Sequence, residues 1–384
     1  MKGFCISCAL SAALAMPAMA AVEIYSDSET STSVKMYGAL LGYSGVSGKT
    51  GEQSTVGGNY LSGIQVNSRL GFDTTIDKFF IRFELGAQEP SATSGVQQQT
   101  PGIRKFFGEY DFGAAGKLSV GRNDSPTVEG GFNTDFLAQD TGSTGFGSVI
   151  TGNRDTQISY SKGGYRVALI QDHYVDKEAP RISMAYQFRN KGIIKNFKVG
   201  ATYKYYNKNA GQWRPTTGAA YVDTYGGAHA WNVIAGIKPQ FGPVSLSVFL
   251  SYGVNAHLYG EMRTSAGQGQ FNYATIDAGL NAKRGGGFFE VSYAATPKLA
   301  ITLGSGFQLT YGGNGSGNGQ NQTGYTQSNA GEHILSYKVS LQAPYKVSKN
   351  FTIVPHIGYY NAYLRSADVH RGGAIGIVRF RYDI

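Results

Sequence analysis

The sequence predicts an all-β fold, a transmembrane antiparallel β-barrel of sixteen strands, and three observations carry that prediction. Residues 374–384 alternate strictly: Val378, Phe380, Tyr382 and Ile384 fall on one strand face, and Ile377, Arg379, Arg381 and Asp383 on the other. The same two-residue period recurs along most of the chain. The connections between these segments alternate between short and long, as they do when every second one lies at the same rim of a barrel. An open sheet edge has no hydrogen-bond partner in lipid, so the last strand is expected to close the sheet against the first, 34–43.

Composition agrees. The chain has 384 residues, among them 54 Gly, 26 Tyr and 21 Phe but only 2 Trp, and charged residues make up 15%. That charge content is low for a water-facing surface. Tyr and Phe suit the aromatic girdles of a membrane barrel. No segment after residue 20 has the ~20 apolar residues of a membrane helix. A barrel that is polar inside and apolar outside needs none.

The first residues read as a secretory signal peptide. Lys2 precedes an apolar run from Phe4 to Leu14, and Ala18-Met19-Ala20 forms a small-x-small cleavage site. Residues 1–20 are therefore set apart from a single barrel domain, 21–384. Both cysteines, Cys5 and Cys8, lie in the removed part, so no disulfide or thiolate metal site is expected. Removing Lys2 from 34 basic residues leaves 33 against 25 acids. The bases are dispersed, which argues against a nucleic-acid partner and for a basic lumen that attracts anions.

In chain order the strands are expected at 34–43, 60–73, 77–88, 103–112, 116–122, 154–161, 164–173, 180–189, 195–206, 228–239, 243–254, 286–295, 298–311, 332–343, 350–363 and 372–384. The clearest is 243–254, where Val244, Leu246, Val248, Leu250 and Tyr252 alternate with Ser245, Ser247, Phe249 and Ser251. Short turns are expected at 74–76, 113–115, 163, 240–242 and 296–297. Long loops are expected at 44–59, 89–102, 123–153, 207–227, 255–285 and 312–331. Residues 271–283 have the pattern of a seventeenth strand, but that would break the even count, so they are assigned to an elaborated external loop. Residues 312–331 are low-complexity.

Several motifs then fall in a fixed order. They are Val34-Lys-Met-Tyr-Gly38, Ser68-Arg-Leu-Gly-Phe72, Arg104 to Phe112 with Gly108, Leu118-Ser-Val-Gly-Arg122 with Ser125-Pro126, Arg154 through Tyr160, and the aromatic last strand. In these the chain resembles the general porins of Gram-negative outer membranes, most closely over 34–160 and the last strand. The resemblance implies short periplasmic turns, long external loops, a homotrimer, and a third loop folded into the lumen. It also implies contacts with outer-membrane lipid, lipopolysaccharide and the barrel-insertion machinery. Trimer contacts would involve the outer faces of the first five strands and the loop 89–102. Two departures stand out: Ala39 occupies a place often basic in such porins, and the last residue is Ile384 where most end in Phe.

The third loop then supplies the acids of a pore constriction, Asp124, Glu129, Asp135 and Asp140. The facing wall supplies Lys35, Arg69, Arg82 and Lys105, which alternation turns inward. The motif match adds Arg122, although alternation from Leu118 and Val120 turns it outward, and Arg154 carries the same ambiguity. Any one of these is more simply a solvated charge lining a hole; the cluster is read as a constriction. Acids facing guanidinium groups across a narrow wet slot would order its water and favour hydrophilic solutes. Phe380, Tyr382 and Ile384 mark the closing strand. Arg166, Arg181, Lys198, Lys204, Lys238, Lys338, Arg379 and Arg381 also turn inward, against Glu84, Glu109 and Glu290.

No catalytic set, cofactor or metal site is expected. The six histidines lack metal-like spacing, and the Gly-rich runs lack the Lys and helix of a phosphate loop. The expected function is a diffusion channel for small hydrophilic solutes and ions with a mild anion preference. The alternatives are a substrate-selective anion channel of the same fold, an outer-membrane adhesin or enzyme, and a soluble β-rich binding protein.

Overall fold

The computed structural model describes residues 21–50, 59–65, 67–87, 102–129, 131–134, 146–147, 154–171, 179–190, 192–206, 228–261, 265–266, 274–275, 281–311, 333–365 and 368–384. The expected signal peptide, Asp135, Asp140 and the low-complexity segment lie outside these residues.

Sixteen antiparallel staves form the sheet. They are β1 (Thr32–Thr50), β2 (Asn59–Ile64 and Arg69–Ile76), β3 (Phe79–Gly86), β4 (Gly102–Asp111), β5 (Lys117–Asn123), β6 (Asp155–Lys162), β7 (Tyr165–Ile170) and β8 (Arg181–Arg189). Then follow β9 (Ile194–Tyr206), β10 (Ala228–Phe241), β11 (Val244–Val254), β12 (Lys283–Ala294), β13 (Ala300–Tyr311), β14 (His333–Gln342 and Tyr345–Lys346), β15 (Phe351–Leu364) and β16 (Val369–Asp383). Each pairs with its sequence neighbours, and β16 pairs with β1 from Ala39↔Asp383 to Thr50↔Gly372, so the barrel is closed.

Closure differs from the expected pairing over 34–43. β16 covers β1 only from Ala39 upward, and Gly38 and Ile384 exchange backbone hydrogen bonds of 3.4 and 3.0 Å. Below that point a strand not foreseen in the sequence, Val22–Asp27, pairs with Thr32–Met36. It follows β16 end to end along the same edge of β1 and supplies the partners that β16 lacks there.

β2 is also not the continuous strand 60–73. It breaks at Gln65–Ser68, and the Ser68 hydroxyl replaces the missing peptide: Leu41 N–H donates to Ser68 Oγ (2.9 Å), which donates to Leu41 O (3.2 Å). Its strand then runs on through the expected turn at 74–76 and reverses at Asp77, which has a left-handed φ of 50°. The turn after β6 uses Gly163 and Gly164, both with positive φ, the demand of a tight hairpin. β12 starts at Lys283, not 286. The segment expected as an elaborated loop holds a 3-10 turn, Ala256–Tyr259, and a two-residue ladder, Ser265–Ala266 with Ala274–Thr275.

Register sorts the side chains as alternation predicts. Outward positions such as Leu40, Phe106, Val120, Leu250, Leu303, Val339, Phe380 and Tyr382 are apolar and exposed. An apolar outer surface of this kind is matched to hydrocarbon, not to water. Inward positions are polar or small, for example Ser183, Thr202, Asn232, Ser247, Ser336 and Ser340. The buried apolar clusters also lie inside the barrel. One joins Phe132 to Ile234, Phe249 and Phe288; another joins Phe146 to Tyr43, Tyr360, Ile375 and Ile377.

Candidate functional site: the lumen and its third loop

The chain leaves β5 at Asn123 and enters the barrel. Its described residues form a strap on the inner wall, fastened among them at three places. First, Thr127 shares hydroxyl hydrogen bonds with Thr202 (2.8 Å) and Ser125 shares one with Ser183 (3.1 Å), on β9 and β8. Second, Phe132 packs on Phe249, which stacks on Phe288 (5.5 Å), and Ser247 Oγ donates to Phe132 O (2.7 Å). Just beyond, Thr134 donates from N–H and hydroxyl to Glu290 (3.0 and 2.9 Å) and accepts from Gln342 Nε2 (2.7 Å). Third, Phe146 inserts beside Tyr360 with ring centroids 5.4 Å apart.

This last seat explains a run of glycines. A side chain at Gly306 would sit 2.2 Å from Phe146 O. One at Gly147, whose φ is +94°, would sit 2.0 Å from Gly287 O. Gly306 and Gly147 thus let strap backbone lie directly on the wall at β12 and β13.

A second loop helps hold the strap. After β11 the chain dips inward through Asn255–Tyr259, and Glu261 ends 3% exposed. Glu261 accepts hydrogen bonds from Thr127 (2.6 Å) and Thr202 (3.2 Å) and pairs with Arg181 (3.2 Å). Arg181, 1% exposed, also binds Asp155 at 3.0 Å, and its guanidinium lies over the Tyr259 ring. Neither Glu261 nor the Asp155 partnership stood out in the sequence; the inward parity of Arg181 was the available signal.

Beyond the strap's root its described hydrogen bonds fall on β8, β9, β11, β12 and β14, and it is on β2–β4 that the bases cluster. Arg82 makes two hydrogen bonds to Asp73, of 2.7 and 2.6 Å. Its guanidinium lies 5.1 Å from the Tyr37 ring and 5.6 Å from Phe80. Glu84 accepts from Tyr37 (3.1 Å) and from Arg104 Nε (2.9 Å), and Arg69 stands 3.8 Å from it. Arg69 and Arg104 both donate to Asn67 Oδ1. Two glycines make room: an added Cβ at Gly71 would strike Tyr37 at 2.4 Å, and one at Gly86 would strike Arg104 at 2.1 Å.

Arg104 was missed because alternation turns it outward once Lys105 is inward. A bulge between Glu84 and Leu85 defeats that count: Leu85 pairs with Ile103 and Glu84 with Lys105, which leaves Arg104 between them. Two successive bases beside a strand that ends in glycine were the signal.

The expected constriction residues divide accordingly. Arg69, Arg82 and Lys105 face the lumen, as expected. Lys35 does too, in register with Asp73, but it is exposed at the turn-side mouth, away from the cluster. Arg154 joins from the start of β6 by pairing with Asp124 at 2.8 Å. Arg122 does not join: it is in register with outward Phe106 and with Thr156, so alternation prevails over the motif.

The two described loop acids, Asp124 and Glu129, do not confront the arginines of β2 and β3 across a gap. Asp124 is held by Lys105 and Arg154 at the strap's root. Glu129 is buried on the far side, beside Val128, whose carbonyl accepts from Lys198. The acids that face Arg69, Arg82 and Arg104 belong to the wall itself, Asp73 and Glu84. Among the described residues, five bases (Arg69, Arg82, Arg104, Lys105, Arg154) therefore meet three acids (Asp73, Glu84, Asp124), a formal excess of two positive charges.

Burial alone would raise the Asp124 carboxyl, but the charges of Lys105 and Arg154 overcome it and hold it below its ordinary value.

Comparison with solved structures places this architecture. The outer membrane channel DcaP of Acinetobacter baumannii superposes with a TM-score of 0.63 over 94% of this chain and 99% of its own, at 15% identity. OmpF of Salmonella typhi, solved with daunomycin, gives 0.61 over 94% and 100%, at 14% identity. An anion-selective porin from Comamonas acidovorans gives 0.56 over 92% and 100%, at 15% identity. No family model and no curated protein sequence matches. The fold is that of the outer-membrane porins.

Two outcomes follow. Glu261→Ala removes both acceptor contacts to Thr127 and Thr202 and one carboxylate from buried Arg181. Breaking such a pair costs about 3–5 kcal/mol, so the strap loosens, and single-channel recordings show larger or noisier openings than wild type. The Asp124 carboxyl is depressed, so its ion pairs contribute fully above the unfolded value of ~3.9 and are lost as pH falls through the lower folded value. Open-channel noise therefore stays constant from pH 7 to about 4 and rises only in stronger acid, whereas Asp124→Asn is noisy throughout.

Proposed function

We propose that this protein is a channel of the Gram-negative outer membrane, through which small hydrophilic solutes and ions diffuse passively with a mild preference for anions. The observation that carries the reading is the cluster of Arg69, Arg82 and Arg104 on the lumen wall of β2–β4, facing the side where the described strap residues are fastened. Fixed cations in excess raise the local concentration of anions in a narrow, low-dielectric passage. Pairing with Asp73 and Glu84 moderates that field, which is why the preference is mild.

The apolar outer belt suits the membrane, and the expected leader at 1–20 suits export. In this reading the chain acts as a homotrimer, assembled by the barrel-insertion machinery beside lipopolysaccharide. No enzymatic role is assigned. A more selective anion channel is the second reading, and Arg82 favours it: its guanidinium rests between Tyr37 and Phe80, a platform suited to flat anionic solutes.

In planar bilayers the purified protein gives stepwise conductance, and a KCl gradient gives a reversal potential of anion-selective sign. Arg104→Gln with Arg82→Gln lowers the anion-to-cation permeability ratio by about twofold or more. Absence of conductance steps overturns the channel, and a cation-selective wild type overturns the preference.

A further inference from the structure

A second group of bases lies outside the constriction. Beneath the strap, at the mouth lined by the short turns, a cavity of about 130 Å³ opens between β10 and β16. Its wall carries Lys238 on β10, Lys298 in the turn after β12, Lys346 on the second piece of β14, and Arg379 and Arg381 on β16. Thr134 and Gln342, bonded to each other, also line it, so the strap forms part of its wall.

The lining is rich in donors. Among the described residues, two carboxylates stand near. Asp383 accepts from Arg381 Nε at 2.9 Å, and Glu290 is occupied by Thr134. Five cations from four elements outnumber them, and the hydroxyls of Ser245, Ser292 and Thr302 add hydrogen-bonding groups. A single chloride meets only a few such groups. An oxoanion with two or more charges offers several acceptor atoms and neutralises several cations at once. The volume exceeds that of one water, whose share of the liquid is about 30 Å³, and admits a compact anion with some hydration.

We propose that this cavity is a binding site for a compact multivalent oxoanion, distinct from the arginine cluster on β2–β4. The inference rests on the inward faces of β10–β16, not on conduction. Bound there, the anion bridges β16 to β10 and lies against the strap at Thr134, so the site is a staging point at the turn-side mouth.

The test is calorimetric titration of the detergent-solubilised full-length protein at low ionic strength and pH 8 with inorganic phosphate, and with chloride as control. The expected isotherm saturates near one phosphate per chain, at least about tenfold tighter than chloride. Lys238→Gln with Arg379→Gln weakens it by about tenfold, and Lys298→Gln with Lys346→Gln, both nearer the turns, weakens it in the same direction. Arg82→Gln leaves the isotherm in place while shifting the reversal potential. Heat-modifiable migration on gels verifies that each variant is folded. A non-saturating titration, one unchanged in both double variants, or one abolished by Arg82→Gln overturns the site. A barrel that binds phosphate but does not conduct would overturn the channel reading alone.

Discussion

A peptide group in hydrocarbon finds a hydrogen-bond partner only in another strand, and this structure follows from meeting that demand at every stave. The critical place is the seam. β16 reaches only as far down as Gly38, and below it β1 would present bare N–H and C=O groups. Val22–Asp27 fills that gap in line with Ile384. The break in β2 is met in the same way on the other edge of β1, where Ser68 lends its hydroxyl to Leu41. Once the sheet is closed, the two-residue period divides the chain into an apolar outside and a polar inside.

A polar inside is not yet a selective passage, because a barrel of this size leaves an open hole. The strap supplies the asymmetry. It is held by hydroxyls on β8 and β9, rings on β11 and β12, and a glycine-lined seat on β12 and β13. The buried Arg181, Asp155 and Glu261 tie its fastening to a second loop. Burying charged groups is costly unless each is paired, and here the pairs are made between loop and wall. The far side of the lumen is left to Tyr37, Arg69, Arg82 and Arg104, whose positions are fixed by Glu84, Asp73 and Asn67.

Much of this was legible in the sequence because alternation carries it. Inward Arg69, Arg82, Lys105 and Arg181, outward Phe380 and Tyr382, and the even count of staves all follow from parity. What escaped was local departure from parity and pairing between distant segments. The bulge at Arg104 adds one residue and turns a base inward. The hydroxyl at Ser68 lets a strand break without loss. Glu261 acts 134 residues from Thr127, and no period links the two. For the same reason linear sequence placed Asp124 in a loop but could not show Lys105 and Arg154 already holding it. Arg122 shows the converse, a position where parity was the better guide than the motif.

The central claim is that the strap is fixed to the β8–β9 wall and the passage runs on the opposite side. Thr127 and Thr202 have hydroxyls 2.8 Å apart, so cysteines placed there face each other across the contact. The only native cysteines, Cys5 and Cys8, precede residue 21. The direct measurement is the single-channel conductance of Thr127→Cys/Thr202→Cys before and after oxidation. The account predicts that the disulfide forms in the folded protein and leaves the conductance within the spread of the reduced channel. A disulfide that does not form, or one that blocks or widens the channel, would contradict it.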